Sequence, residues 1–428
     1  MKSPESLSAA EAAGRVRDKD ILALPTGPGQ PPAFLEALGE RQAFEDLEIN
    51  TALTLSPYTV LTRPGVRLRS GFFGPVERSL SAAGHDVCFV PADFRRFAVS
   101  LEMHPPRVMA TAVAKPDASG RMSLSLHAGA TTQALRQCGQ DPDRLLIAEI
   151  NPALPATQGW APEYPHALTL DEVDIVIERE SPLPILPDPE PGPTERAIAE
   201  AVQHYIPDGA TLQTGIGAIP SQVVSLLAEG TGSDYGIHSE MFTTGLMKLH
   251  QAGKVTNQKG TFDGKSVCTF AMGDADLYAW LASCDDVRFL PVDVVNNPTR
   301  IGANRKMISI NGALAVDLLG QLVADTIGPL QYSGIGGHED FVEGVGTAVS
   351  NRSLICLPST AEHGGERISR IAATLPPGAS VTTPRHQVDV IITEFGVAEL
   401  QGRSVRERAD ALINVAHPDF RASLRQAL

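Results

Sequence analysis

Two α/β domains, each a mainly parallel sheet with helices on both faces, are what three observations predict for this 428-residue chain. Short apolar runs alternate with helix-like stretches through both halves, as expected of buried strands joined by crossover helices. A proline-rich stretch separates the halves. The length allows two or three domains of ~150 residues, each with its own core.

In the first half, strands are predicted at 21–24, 47–53, 87–90, 108–113 and 145–150, with helices at 33–44 and 128–138. The segment Ser70-Gly-Phe-Phe-Gly-Pro75 reads equally as a pocket lining or as an ordinary turn with two buried rings. Alternate prolines across 181–194 remove backbone donors and hold an extended conformation. That stretch is read as a semi-rigid linker between domains at 1–180 and 195–428. The second half opens with a helix at 194–205, Thr194 serving as N-cap. Strands are predicted at 211–214, 236–239, 267–271, 287–291, 307–310, 354–357 and 388–393, and helices at 221–228, 241–251, 275–283, 368–375 and 405–415. The halves look alike in kind, yet no residue-level repeat relates them.

A formal charge of -15 argues against nucleic acid as a partner. Any polyanionic ligand must therefore be met by local donors. No apolar run approaches the ~20 residues that span a bilayer, and the first residues carry no apolar core of signal-peptide length. The five cysteines are scattered and never form a CxxC pair, so buried free thiols in a cytoplasmic protein are expected.

Three segments could carry chemistry. The first is Tyr235-Gly-Ile-His-Ser-Glu240-Met, a short strand delivering a lone glutamate at its end, just before a helix. Reactive groups gather at the carboxyl ends of parallel strands, which makes Glu240 a candidate nucleophile or base. A carboxylate there also suits the first turn of the next helix, so a capping role stands beside the catalytic one. The second is Leu212-Gln-Thr-Gly215-Ile-Gly217-Ala-Ile-Pro220. It lacks the third glycine of a dinucleotide fingerprint but offers a glycine turn and free helix N–H groups. The third is Tyr332-Ser-Gly-Ile-Gly-Gly-His-Glu-Asp-Phe341, a glycine-rich loop expected to be mobile. His338, Glu339 and Asp340 stand too close in sequence to share a metal, and no His-x-x-x-His pair supports one. Arg300, Arg305 and Lys306, with Arg367 and Arg370, are either solvated charge or a patch for a nucleotide phosphate.

Taken together these segments resemble the acetyl-CoA hydrolase/transferase family, and its 4-hydroxybutyrate and acetate coenzyme A-transferases in particular. The resemblance also rests on Ser309-Ile-Asn-x-Ala313, Ser359-Thr-Ala361, Ser369-Arg-Ile371, Thr393-Glu-Phe-Gly-Val-Ala398 and Ala416-His-Pro-Asp-Phe-Arg421. It is dense from about 194 onward and thinner before, where Asn151-Pro-x-x-Pro-x-Thr-x-Gly159 is its best marker. It implies two domains of the coenzyme A-transferase fold, a dimer, and no tightly bound cofactor or metal. Acyl-CoA and a small carboxylate are the implied substrates. It implies a catalytic role for Glu240. Contacts to coenzyme A or substrate are implied for Gln213, Gly215, Gly217, Ala218, Ile219, Pro220, Ser221, Asn311, Gly334, Gly336, Gly337 and His338. The implied reaction is ping-pong transfer of coenzyme A through a glutamyl thioester. Hydrolysis of acyl-CoA and silent coenzyme A binding are the alternatives.

Two positions depart from the family pattern. Many members carry a lysine at or beside Glu362 or His363, and glutamine where this chain has His338. A histidine there either touches the ligand, adding a titration near ~6.5 to the transfer reaction, or faces solvent without contact.

Overall fold

The computed structural model describes residues 3–428. They pack as two units, one running to Leu186 and including Val267–Val295, the other comprising Pro187–Ser266 and Asn296–Leu428. The division falls inside the proline-rich stretch, but the second half of the sequence is not one contiguous body. The helix Ala275–Leu281 and the segments around it group with the first unit. Composition carries no mark of that exchange, because it depends on non-local packing.

The first unit holds an eight-stranded sheet. Its strands are β1 (Glu5–Ser6), β2 (Lys19–Ala23), β3 (Asp46–Thr51), β4 (Val66–Ser70), β5 (Val87–Phe89), β6 (Val108–Val113), β7 (Leu145–Ile150) and β8 (Ile175–Glu178). The spatial order is β1-β8-β7-β6-β2-β3-β4-β5, and every pairing is parallel. Alternate residues Leu47 and Ile49, Val66 and Leu68, Val108 and Ala110, and Ile175 and Ile177 share one core with Phe34, Leu35 and Leu38 of helix α1 (Pro32–Gly39). That is the period of two that a strand imposes. All six residues of β6 are buried, so both of its faces are covered, and each large apolar side chain contributes roughly 1.5–3 kcal/mol. In the segment 70–75 only one of the two rings, Phe73, is buried, while Phe72 is half-buried. Buried Glu77 accepts from Thr54 N and Gly74 N at 3.0 Å and from Ser70 Oγ at 3.1 Å.

In the second unit a six-stranded sheet comprises β9 (Thr211–Thr214), β10 (Gly236–Ile237), β11 (Met307–Gly312), β12 (Arg352–Cys356), β13 (Val390–Thr393) and β14 (Gly396–Glu399). Its order is β10-β9-β11-β12-β13-β14, parallel except for the terminal β13–β14 hairpin. Helices α2 (Pro193–Gln203), α3 (Ala218–Glu229), α4 (Thr244–Gln251), α5 (His338–Val345) and α6 (Val405–Val415) complete the parts used below.

Several predicted elements need correction. Helix α2 starts at Pro193 with Gly192, not Thr194, as its N-cap, since proline suits the first helical position. The helix expected at 368–375 is absent. Thr360–His363 and Glu366–Ser369 form an antiparallel hairpin instead, with Gly364 and Gly365 at φ 60° and 83° in its turn. Two adjacent left-handed glycines are what such a turn demands. Of the cysteines, Cys138, Cys268 and Cys356 are buried, while Cys88 and Cys284 are partly exposed; all five are free thiols.

Candidate active site

Glu240 lies three residues beyond the end of β10, and both residues before it are locked in place. His238 and Ser239 are fully buried. Asn304 Nδ2 donates to His238 Nδ1 at 3.1 Å. Ser239 Oγ donates to Thr214 O at 3.1 Å and accepts from Thr214 N at 3.4 Å. These bonds tie the glutamate to the end of β9, where the glycine turn begins. The capping reading of Glu240 fails. Helix α4 starts only at Thr244, and Thr243 is its cap, accepting from Leu246 N. Met241–Phe242, expected to be helical, is extended.

The carboxylate has an unusual neighbour. Asn296 Nδ2 donates to Glu240 Oε2 at 2.6 Å and to Asp340 Oδ2 at 2.9 Å. Asn296 and Asp340 are fully buried, whereas Glu240 keeps part of its surface open. Dense protein around that carboxyl desolvates its charged form and pushes its pKa up to about 7, against the opposing pull of the Asn296 N–H. The backbone of Gly337 comes close: a Cβ there would lie 1.9 Å from Glu240 Oε2 and 2.5 Å from Asn296 Nδ2. Only glycine fits at that position. A carboxylate that ionises near neutrality, on a rigid strand end with bare backbone against it, can act as a nucleophile or as a base.

The other predicted residues fall into separate groups. Gly217 sits at φ 119°, a conformation open in practice to glycine alone, and forms the N-terminal boundary of α3. No side chain caps that helix, so the first-turn N–H groups of Ala218 and Ile219 face the turn without such a partner. Pro220 has no N–H to leave unpaired. The position a Cβ would take at Gly215 is open space. Ser221 Oγ donates to Asp188 Oδ1 at 2.6 Å, a contact from the proline-rich stretch. Gln213 and Asn311 bind each other across β9 and β11, Nε2 to Oδ1 at 3.3 Å. Asn311 Nδ2 is buried and has no hydrogen-bond partner among the described residues.

The segment through Gly334, Gly336 and Gly337 is anchored at both ends. Tyr332 N and Ser333 N donate to Asp325 O, and α5 begins at His338. His338 is neither solvent-facing nor a titrating group near neutrality. It is 9% exposed, its Nε2 lies 2.9 Å from Thr383 Oγ1, and burial pushes its pKa down to about 4. Thr383 gives its own hydroxyl proton to Glu339, so its oxygen accepts from a neutral Nε2–H imidazole. Among the described residues no group of His, Cys, Asp and Glu is placed to hold a metal ion. Of the basic residues, Lys306 Nζ donates to Asp208 O at 2.9 Å, and Arg367 lies 3.9 Å from Asp419. No described helix is long and apolar enough to cross a membrane.

Sequence reasoning missed Asn296 as a site residue and weighed Asp340 as a metal ligand, which it set aside. No local pattern links Asn296, 56 positions from Glu240, to that carboxylate. Only the folded sheet does.

Comparison with known proteins places the chain among the coenzyme A-transferases. It belongs to the acetyl-CoA hydrolase/transferase family, whose C-terminal domain profile matches residues 273–428. It is 38% identical over 425 residues to succinyl-CoA:cyclohexane-1-carboxylate CoA transferase of Geobacter metallireducens, across 98% of this chain and 94% of that one. The fold matches RipA of Yersinia pestis with a TM-score of 0.89 and 33% identity, over 99% and 96% of the two chains. It also matches a 4-hydroxybutyrate CoA-transferase of Porphyromonas gingivalis with a TM-score of 0.78 and 28% identity, over 98% and 96%.

Proposed function

We propose that this enzyme transfers coenzyme A from an acyl-CoA, such as acetyl-CoA, to a small carboxylate by a ping-pong route through a thioester on Glu240. The observation that carries the reading is the partly open, desolvated Glu240 carboxylate held by Asn296 against the bare backbone of Gly337.

In the first step an ionised Glu240 oxygen attacks the thioester carbonyl, and the carbonyl electron pair moves onto oxygen. Collapse of that oxyanion breaks the C–S bond, leaving a mixed anhydride and the coenzyme A thiolate. The thiolate then attacks the glutamyl carbonyl and expels the first carboxylate, so Glu240 carries coenzyme A. A second carboxylate reverses both steps. Each anhydride or thioester bond broken is matched by one formed, so no outside energy source enters. Glutamate suits the task better than aspartate, whose thioester would be open to attack by the next backbone amide. The uncapped N–H groups of the Gly215–Pro220 turn are placed in this reading at the oxyanions, where each donor contributes roughly 2.7–4 kcal/mol in other acyl-transfer sites. Coenzyme A contacts through Gly215–Ser221, Gln213, Asn311 and the Gly334–Gly337 segment belong to the same reading. So do a homodimeric state and a cytoplasmic location, both carried by the family resemblance alone.

The test is to incubate the protein with acetyl-CoA and a panel of small carboxylates while following new acyl-CoA and free thiol. Transfer gives new acyl-CoA with little free thiol. Free thiol without dependence on an acceptor would replace transfer by hydrolysis, and no turnover of any kind would overturn both.

A further inference from the structure

The reaction just described leaves without a part the buried carboxylate that shares Asn296 with Glu240. Asp340 stands in the first turn of α5, is fully buried, and accepts from the amide nitrogen that also serves Glu240. Its position is rigid, because the next residue, Phe341, packs in a cluster with Ile301, Met307 and Val345. Burying a carboxylate is costly, and hydrogen bonds such as the one from Asn296 offset that cost.

A primary amide has two N–H donors on its nitrogen and an acceptor on its oxygen. With carboxylates on both sides of Nδ2, only one orientation of Asn296 is satisfied; the flipped amide would set Oδ1 against two acceptors. Nothing holds the amide from its other end, since Asn296 Oδ1 is buried with no hydrogen-bond partner among the described residues. Glu240 cannot supply the restraint throughout the cycle. Once its carboxylate becomes an anhydride or a thioester, the charge on Oε2 that attracts the N–H is gone. Asp340 keeps its carboxylate in every step.

We propose that Asp340 is a positioning residue that acts through Asn296, keeping the amide N–H on Glu240 Oε2 while Glu240 changes from carboxylate to acyl derivative. The proposal rests on the covalent role of Glu240. In that role the N–H first orders the nucleophile and then meets the negative charge that forms on the same oxygen when thiolate or carboxylate attacks. Loss of the restraint should therefore slow the chemical steps without weakening acyl-CoA binding.

The experiment compares Asp340→Leu, which keeps the branched shape but cannot accept, with Asp340→Asn, whose carbonyl oxygen still can. Both are also made in an Asn296→Ala background. The expected result is a fall in kcat of about tenfold or more for Asp340→Leu, with KM for acetyl-CoA within about twofold. Asp340→Asn should restore kcat to within about threefold of the parent, and Asp340→Leu should cost nothing further once Asn296 is gone. Three results would overturn the proposal: an unchanged kcat in Asp340→Leu, equal losses in both folded variants, or losses that multiply in the Asn296→Ala background. Should Asp340→Leu fail to fold, Asp340→Asn decides alone, and a loss beyond about tenfold in a folded Asp340→Asn overturns the proposal. Activity retained by Glu240→Ala would instead sink the covalent mechanism itself, so the two failures are distinguishable.

Discussion

Two glutamates stand at the carboxyl ends of parallel strands, one in each unit, and burial pushes both to a pKa of about 7. Glu149, the next-to-last residue of β7, is fully buried, and both of its oxygens are taken. They accept Ala33 N at 3.1 Å and Phe34 N at 2.9 Å, at the N-terminus of α1. It does for that helix what the capping reading supposed Glu240 did for α4. Glu240 is partly open, and among the described residues only its Oε2 is hydrogen-bonded, to a side-chain amide. A raised pKa is thus common to a structural acid and a candidate nucleophile. What separates them is whether an oxygen remains to react.

The sharpest way to break the comparison is to remove each acid in turn. Glu240→Ala should lose at least about a thousandfold in transfer while its melting temperature stays near that of the parent. Glu149→Gln should keep kcat but lose one backbone acceptor bond, costing about 1–3 kcal/mol of stability. The reverse pattern, measured by steady-state kinetics and thermal unfolding, would end the assignment of roles.

Gly337→Ala should come next in size. Its Cβ would meet Glu240 Oε2 at 1.9 Å, so either the glutamate or the loop must shift, and kcat should fall by about a hundredfold. Retained kcat would mean that this backbone approach plays no part in the chemistry.

Protonation gives smaller effects with a definite sign. Glu240 must be ionised to attack, so kcat/KM for acyl-CoA should rise with pH and level off above about 7. For Glu149 the folded-state pKa lies above the ordinary value. Its contribution to stability is therefore complete below about pH 4.5 and is lost as pH rises through 7. Unfolding free energy followed from pH 4 to 8 should decline less in Glu149→Gln than in the parent, by at most about 3 kcal/mol. Parallel curves would contradict the buried, proton-holding state of Glu149. The smallest effect belongs to His338→Gln. A histidine already neutral above about pH 4 cannot add a titration near 6.5, so the two pH–rate profiles should superimpose between about 5.5 and 7.5. A shift in the variant's profile would show that His338 titrates after all.

Much of this could be read in the sequence, for physical reasons. β6 and β7 were visible because strands buried on both faces are mainly apolar, Thr111 and Glu149 being the exceptions. Glu240 stood out only through the motif around it, because by position alone an acid after a short strand serves equally well as a cap for the next helix. Other features depend on tertiary contacts. The hairpin at Gly364 and Gly365 carried its own turn signal, which the apolar spacing of the residues after it obscured. His338 looked exposed because its neighbours are glycines, yet α5 begins at that residue and turns it inward against Thr383. Asn296 reaches Glu240, and Asp340 reaches Asn296, from separate segments of the second unit, and no spacing rule joins them.

The central claim is a coenzyme A thioester on Glu240, and chemical trapping tests it most directly. The protein is incubated with acetyl-CoA without added acceptor, reduced with borohydride, digested, and the peptide carrying residue 240 is analysed by mass spectrometry. The account predicts reduction of the Glu240 side chain to the alcohol with loss of activity, and neither change without acetyl-CoA. An unmodified Glu240 in protein that is turning over acetyl-CoA would contradict it.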